Sequence, residues 1–253
     1  MTGRLRANII LVVRNKVSSP RKDYQDFVYR PVKENTIEKC AGRNYDGPEN
    51  LVRWTSWNPN NPFAPNWDVP LWYDNFPEEF VDNILDKIYL IEDELGDWKH
   101  YNVFSWSDKF PFVNKLLLLL KTMYGWYMEE LKCNFPNKVY IRGWLNILEP
   151  GELLPIHSHS FHENSFISGN LLLTDSEVST EYVIPNYSTY CGNYLAGKTK
   201  GSMLLFPSWV EHFVPEVKQK RYCIAFDFYT DDAMQYVQEN SKEFDPMMLS
   251  IEC

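Results

Sequence analysis

At 253 residues, with 44% hydrophobic and 23% charged side chains, the chain has a globular protein's composition and enough length to bury a sizeable core. Its net charge of −9 argues against general nucleic-acid binding or attachment to an anionic membrane. The five cysteines are odd in number and contain no C-x-x-C pair, which points to reduced thiols in a cytoplasmic, soluble setting.

Taken in order, the chain first offers a short β-branched strand at residues 7–13, A-N-I-I-L-V-V, too short to span a bilayer and lacking a signal-peptide cleavage site. From Ser18 to about Tyr73 it reads as a long polar loop, because N-P-N-N-P-F-A-P at 58–65 excludes regular structure. Trp54, Trp57, Trp67 and Trp72 would pin that loop over the main body. Two amphipathic helices follow. Residues 76–95 carry Pro77 at the start, an acidic first turn, and a stripe of Phe80, Ile84, Ile88 and Ile91. Residues 109–132 present Phe112, Leu116, Leu119, Met123, Trp126 and Leu131 at broadly helical spacing, and Asn134 and Pro136 end the run. Both suit packing against the outside of a sheet.

The period changes at residue 138. The segment 139–148 alternates, with Tyr140, Arg142, Trp144 and Asn146 on one face, and E-P-G-E at 149–152 turns the chain. Further short strands fall at 166–174, 179–184, 202–207 and 221–229, separated by Gly, Pro and Asn, which indicates an antiparallel sandwich or barrel. Residues from Asp231 have mild helical character. The implied organisation is an N-terminal extension with supporting helices (1–135), a β core (136–230) and a tail (231–253), forming one compact unit.

The chemistry concentrates in L-P-I-H-S-H-S-F-H-E-N, residues 154–164, which holds His157, His159 and His162. If residues 155–159 are extended, His157 and His159 share a face. A further histidine, His212, lies 53 residues after His159, behind the apolar approach L-L-F-P, and Arg221 lies nine residues after His212. Neutral imidazoles suit zinc, copper, nickel and iron, so the ligand set alone does not choose the metal. Alternation also groups Ser168 with Asn170, and Cys223, Ala225 and Asp227 with Arg221. Asn146 and Asn170 are candidate hydrogen-bonding groups toward a bound molecule.

Residues 140–229 resemble the double-stranded β-helix core of the 2-oxoglutarate- and iron(II)-dependent oxygenases, in particular bacterial and phage members with an H-x-H, then H, then R pattern. The elements are Trp144 and Asn146, Pro150-Gly151, His157 and His159, Ser168-Gly169, Phe206-Pro207-Ser208 with His212, and Arg221. The resemblance implies a mainly β fold with flanking helices, a jelly-roll, cupin-like core packed against the N-terminal helices. It implies Fe(II) held by His157, His159 and His212 as the catalytic centre, with O2 as co-reactant. It further implies 2-oxoglutarate anchored by Arg221, and Asn146, Asn170 and Ser168, placed by alternation, are the candidates to contact it. The wider superfamily has H-x-D or H-x-E, so Glu163 and His162 stand as alternatives to the favoured His159. The expected activity is hydroxylation of a small molecule or protein side chain with release of succinate and CO2. A homodimer is an admissible assembly, and a cupin-like metal- or ligand-binding module without turnover is the competing reading.

Overall fold

The computed structural model describes residues 50–55, 67–92, 102–132, 136, 138–159, 165–183, 193–240 and 249–252. The expected strand at 7–13, Trp57, the proline-rich 58–65, His162 and Glu163 lie outside them.

The first described strands are β1 (Leu51–Thr55) and β2 (Asp68–Asn75), an antiparallel pair in which Leu51 faces Trp72 and Thr55 faces Asp68. They correct the reading of 18–73 as unbroken loop. The prolines at 59, 62 and 65 occupy the connection, and the apolar alternation on either side is long enough for a ladder. Trp54 and Trp72 are buried, as expected of pinning residues, but from strands rather than from a draped segment.

Helix α1 (Glu78–Ile91) follows, with Pro77 at its N-cap rather than inside its first turn, and Glu78 and Glu79 near its positive end. It buries Phe80, Ile84, Ile88 and Ile91, the expected stripe, together with Val81 and Leu85. After a 3-10 turn at Val103–Trp106 comes α2 (Pro111–Leu131), with Pro111 at its start and Lys132 in left-handed conformation, φ 52°, at its end. Its buried face differs from the expected one: Leu120, Tyr124 and Tyr127 replace Leu119 and Trp126, and Trp126 is exposed. The run Leu116–Leu120 is apolar at every position, so it conceals the phase of the helix.

The remaining elements are β3 (Lys138–Leu148), β4 (Leu154–His157), β5 (Ser165–Leu172), β6 (Glu181–Val183), β7 (Tyr194–Leu195), β8 (Ser202–Pro207), β9 (Glu211–Val214), β10 (Arg221–Tyr229), α3 (Asp231–Asn240) and β11 (Leu249–Glu252). Short strands β7, β9 and β11 carry too few residues to show a period and were not expected. The strands form a seven-stranded sheet, ordered β1-β2-β8-β5-β10-β3-β11, and a four-stranded sheet, ordered β4-β9-β6-β7. Every pairing is antiparallel, and the large sheet takes strands from before residue 135 and after residue 230 as well as from the stretch between.

Two apolar layers hold the sheets. On the outer face of the large sheet, Tyr222, Ile224, Phe226 and Phe228 of β10 join the helix residues in one buried cluster, and Tyr124 stacks on Phe228 at 5.4 Å between centroids. Fully burying each such ring contributes about 1.5–3 kcal/mol. Phe104 seats against Gly143 of β3, where a Cβ would stand 2.6 Å from its ring, so this crossing requires glycine. Between the sheets, Val52, Trp54, Leu71 and Phe206 pack against Tyr182 and Tyr194. Strand β10, buried along its whole length, therefore separates an apolar outer layer from an interior that also contains Arg221 and Asp227.

Candidate metal centre

The smaller sheet brings two histidines together directly: His157 of β4 and His212 of β9 are cross-strand partners, with ring centroids 4.3 Å apart. Such a pair is the closest approach two strands provide. His159 reaches the same point by another route. Strand β4 ends at His157, so His159 lies beyond the ladder instead of continuing it. Its N–H donates to the Ser208 carbonyl at 3.0 Å, and the Ser208 N–H in turn donates to the Phe166 carbonyl at 3.1 Å. The turn after β8 thereby fixes where His159 sits. One ligand atom from each of His157, His159 and His212 lies within 4.8 Å of the others.

The second nitrogen of each ring decides what the first can offer. Nδ1 of His157 is 2.8 Å from the Pro155 carbonyl, and Nδ1 of His212 is 3.2 Å from the Val210 carbonyl. A carbonyl only accepts, so both rings carry their proton on Nδ1 and leave Nε2 with its lone pair. His159 Nδ1 lies 2.6 Å from Asp227 Oδ1 and 3.1 Å from Ser168 Oγ, which frees its Nε2 in the same way. Three imidazoles whose far nitrogens are held by acceptors fit a divalent ion. Electrostatics favour the neutral ring at two of the three positions. Burial, with the charges of the two neighbouring histidines, pushes His212 down to about 3, and burial likewise lowers His157. For His159 burial pulls downward, but the Asp227 carboxylate more than offsets it and the result is a rise.

The same cleft is lined by Asn146, Asn170, Ala225 and Arg221 as well as the three histidines. Arg221 is buried, with 4% of its surface exposed. Its Nη2 donates to Thr180 Oγ1 at 2.9 Å, whereas its Nε is buried without any hydrogen-bond partner. Among the described residues no carboxylate pairs with it. A buried, uncompensated guanidinium is costly, so the donor set suits an acidic ligand. Neighbouring Cys223 and Ala225 are small, as expected of a wall that leaves room.

Of the residues singled out in the sequence, Asn146 and Asn170 line the cleft, and Asn170 Nδ2 donates to the Tyr182 hydroxyl. Ser168 departs from its expected role. It is fully buried, and its Oγ donates to Asp227 Oδ1 at 2.6 Å behind His159 instead of facing the cleft. Asp227, grouped in the sequence only by its parity with Arg221, contacts His159; Thr180, which holds the guanidinium, was not singled out at all. Their partners lie 68 and 41 residues away in the chain, and no local pattern encodes such distances.

No family model matches the chain, and no curated protein sequence matches it. Solved structures do. A prolyl 4-hydroxylase from Pseudomonas putida superposes with a TM-score of 0.51 at 12% identity, covering 63% of this chain and 87% of that one. The architecture is a double-stranded β-helix. HygX from Streptomyces hygroscopicus, solved with nickel and 2-oxoglutarate bound, gives a TM-score of 0.47 at 12% identity, over 64% of this chain and 82% of that one. A prolyl hydroxylase from Trichoplax adhaerens, solved with a peptide fragment, gives 0.49 at 10% identity, over 68% and 87%. The likeness is one of fold, and the fold is the one that the resemblance of residues 140–229 implied.

Proposed function

We propose that this protein is a non-haem Fe(II)- and 2-oxoglutarate-dependent dioxygenase that hydroxylates a small molecule or a protein side chain. The observation that carries the reading is Arg221: a buried guanidinium with an unpartnered Nε in the same cleft as three histidines. A metal-binding module alone has no use for that cation, whereas a dicarboxylate held in that cleft would pair with it.

Iron and 2-oxoglutarate, when bound, supply oxygen activation coupled to decarboxylation of the cosubstrate to succinate and CO2. The chain's own contribution is placement. His157, His159 and His212 are the metal ligands, each through Nε2. Arg221, steadied by Thr180, would pair with a carboxylate of 2-oxoglutarate. Asn146 and Asn170 hydrogen-bond to cosubstrate or substrate from the cleft wall. The aromatic layer around Tyr182 and Phe206, packed against His212 at 5.4 and 5.0 Å between centroids, keeps water from the far side of the site. The residues named here fall within 136–230, and β1, β2 and β11 complete the large sheet from outside that stretch.

Anaerobic addition of Fe(II) and 2-oxoglutarate tests the reading: a metal-to-ligand charge-transfer band should appear in the visible and bleach on admitting oxygen. Absence of the band, with zinc retained through purification, would identify a cupin-like binding module instead.

A further inference from the structure

Three neutral imidazoles leave a bound divalent ion with its whole charge, in a cleft where water offers little screening. The structure sets a carboxylate directly behind one of them. Asp227 is 5% exposed and sits on β10 opposite Ser168 of β5. Its Oδ1 accepts from His159 Nδ1 at 2.6 Å and from Ser168 Oγ at 2.6 Å, and its Oδ2 accepts from the Tyr229 hydroxyl at 3.0 Å. Ser168 is in turn bonded to Ser208 at 2.9 Å, the residue whose carbonyl fixes the His159 backbone. The carboxylate is therefore satisfied by hydrogen bonds on both oxygens, with Arg142 as its cross-strand partner on β3 and the His159 ring between it and the site of the ion. Among the described residues His157 and His212 have carbonyls, not carboxylates, in the equivalent place. The asymmetry falls on the one ligand that no strand ladder holds.

We propose that Asp227 is a positioning residue and the charge partner of this centre: it orients His159 with Nε2 toward the ion and offsets the ion's charge through the imidazole. Ser168, Ser208 and Tyr229 hold the carboxylate in that position. The inference rests on the metal site proposed above. Its expected consequence is that the carboxylate governs affinity for the ion, since removing the acceptor behind a ligating histidine weakens metal binding by about 10- to 100-fold.

The test uses the full chain, with Co(II) as the probe. Wild type should bind one equivalent, and Asp227→Asn, which keeps the size but not the charge, should bind about 10- to 100-fold more weakly with shifted visible ligand-field bands. Tyr229→Phe, which removes a donor and keeps the carboxylate, should lose less. Long-range proton–nitrogen NMR of the zinc-loaded wild type needs no variant. It should show His159 protonated at Nδ1, with that proton further downfield than those of His157 and His212. Affinity and spectrum unchanged in Asp227→Asn, or His159 found ligating through Nδ1, would overturn the inference while leaving the metal site intact. Wild type that binds no divalent ion would sink the site and the inference together.

Discussion

Replacing Arg221 by methionine separates its role as a ligand anchor from any role in holding the fold. The guanidinium donates to Thr180 Oγ1 at 2.9 Å, lies beside the Cys223 sulfur, and buries its Nε unpaired. Were a carboxylate of the chain its partner, breaking the pair would cost about 3–5 kcal/mol, and in a chain of this size that lowers Tm by roughly 6–20 °C. With no such partner, the loss of the Thr180 bond and the relief of a buried charge oppose each other. Tm of Arg221→Met should then stay within about 4 °C of wild type. Binding of 2-oxoglutarate should behave in the opposite way. A forked contact contributes two charge-assisted hydrogen bonds at about 1.5–3 kcal/mol each, so Kd should rise by roughly 10²- to 10⁴-fold. Calorimetric titration of 2-oxoglutarate into Ni(II)-loaded protein, beside a thermal melt of the metal-free form, reads both quantities. Nickel content should not change, because the arginine is no ligand. Wild-type affinity for 2-oxoglutarate in the variant, or a melting loss in the paired-charge range, would refute the assignment of Arg221 as an anchor awaiting an acid.

Two further outcomes follow from the packing and the surface charges. Gly143→Ala drives a Cβ to 2.6 Å from the fully buried Phe104 ring, so urea unfolding should show a loss of about 1–3 kcal/mol, and a loss under about 0.5 kcal/mol would mean the ring moves freely. Glu92 is held below its ordinary 4.5 because the bonds from Lys220 and Tyr222 outweigh the upward effect of burial. A depressed carboxylate stabilises the fold above the ordinary value and loses that contribution as pH falls through its own lower value. Glu92→Gln should therefore melt lower than wild type at pH 7 and converge with it on acidification below 4.5; parallel curves would remove Glu92 from the acid response.

The sequence by itself determined which residues have the chemistry, and it did so wherever a period or a spacing is local. A period of two marks 139–148 as a strand with Trp144 and Asn146 on one face, and both do face the interior of the large sheet beside Ala225 and Cys223. The stripe Phe80, Ile84, Ile88 and Ile91 marks α1 for the same reason at the helical period. Where the local signal is saturated or interrupted, it failed. Five consecutive leucines conceal which face of α2 is buried, and three prolines conceal that the segments on either side pair as β1 and β2. The tertiary structure alone decided what faces what. His157 meets His212 because β4 and β9 are neighbours, though 55 positions separate them. Asp227 stands behind His159 because β10 passes next to the segment that follows β4, and among the described residues Arg221 meets Thr180 and Cys223 and no acid. Hydrogen bonds and charge act through a few ångströms of space, and strand order, not sequence distance, sets which groups come within that reach.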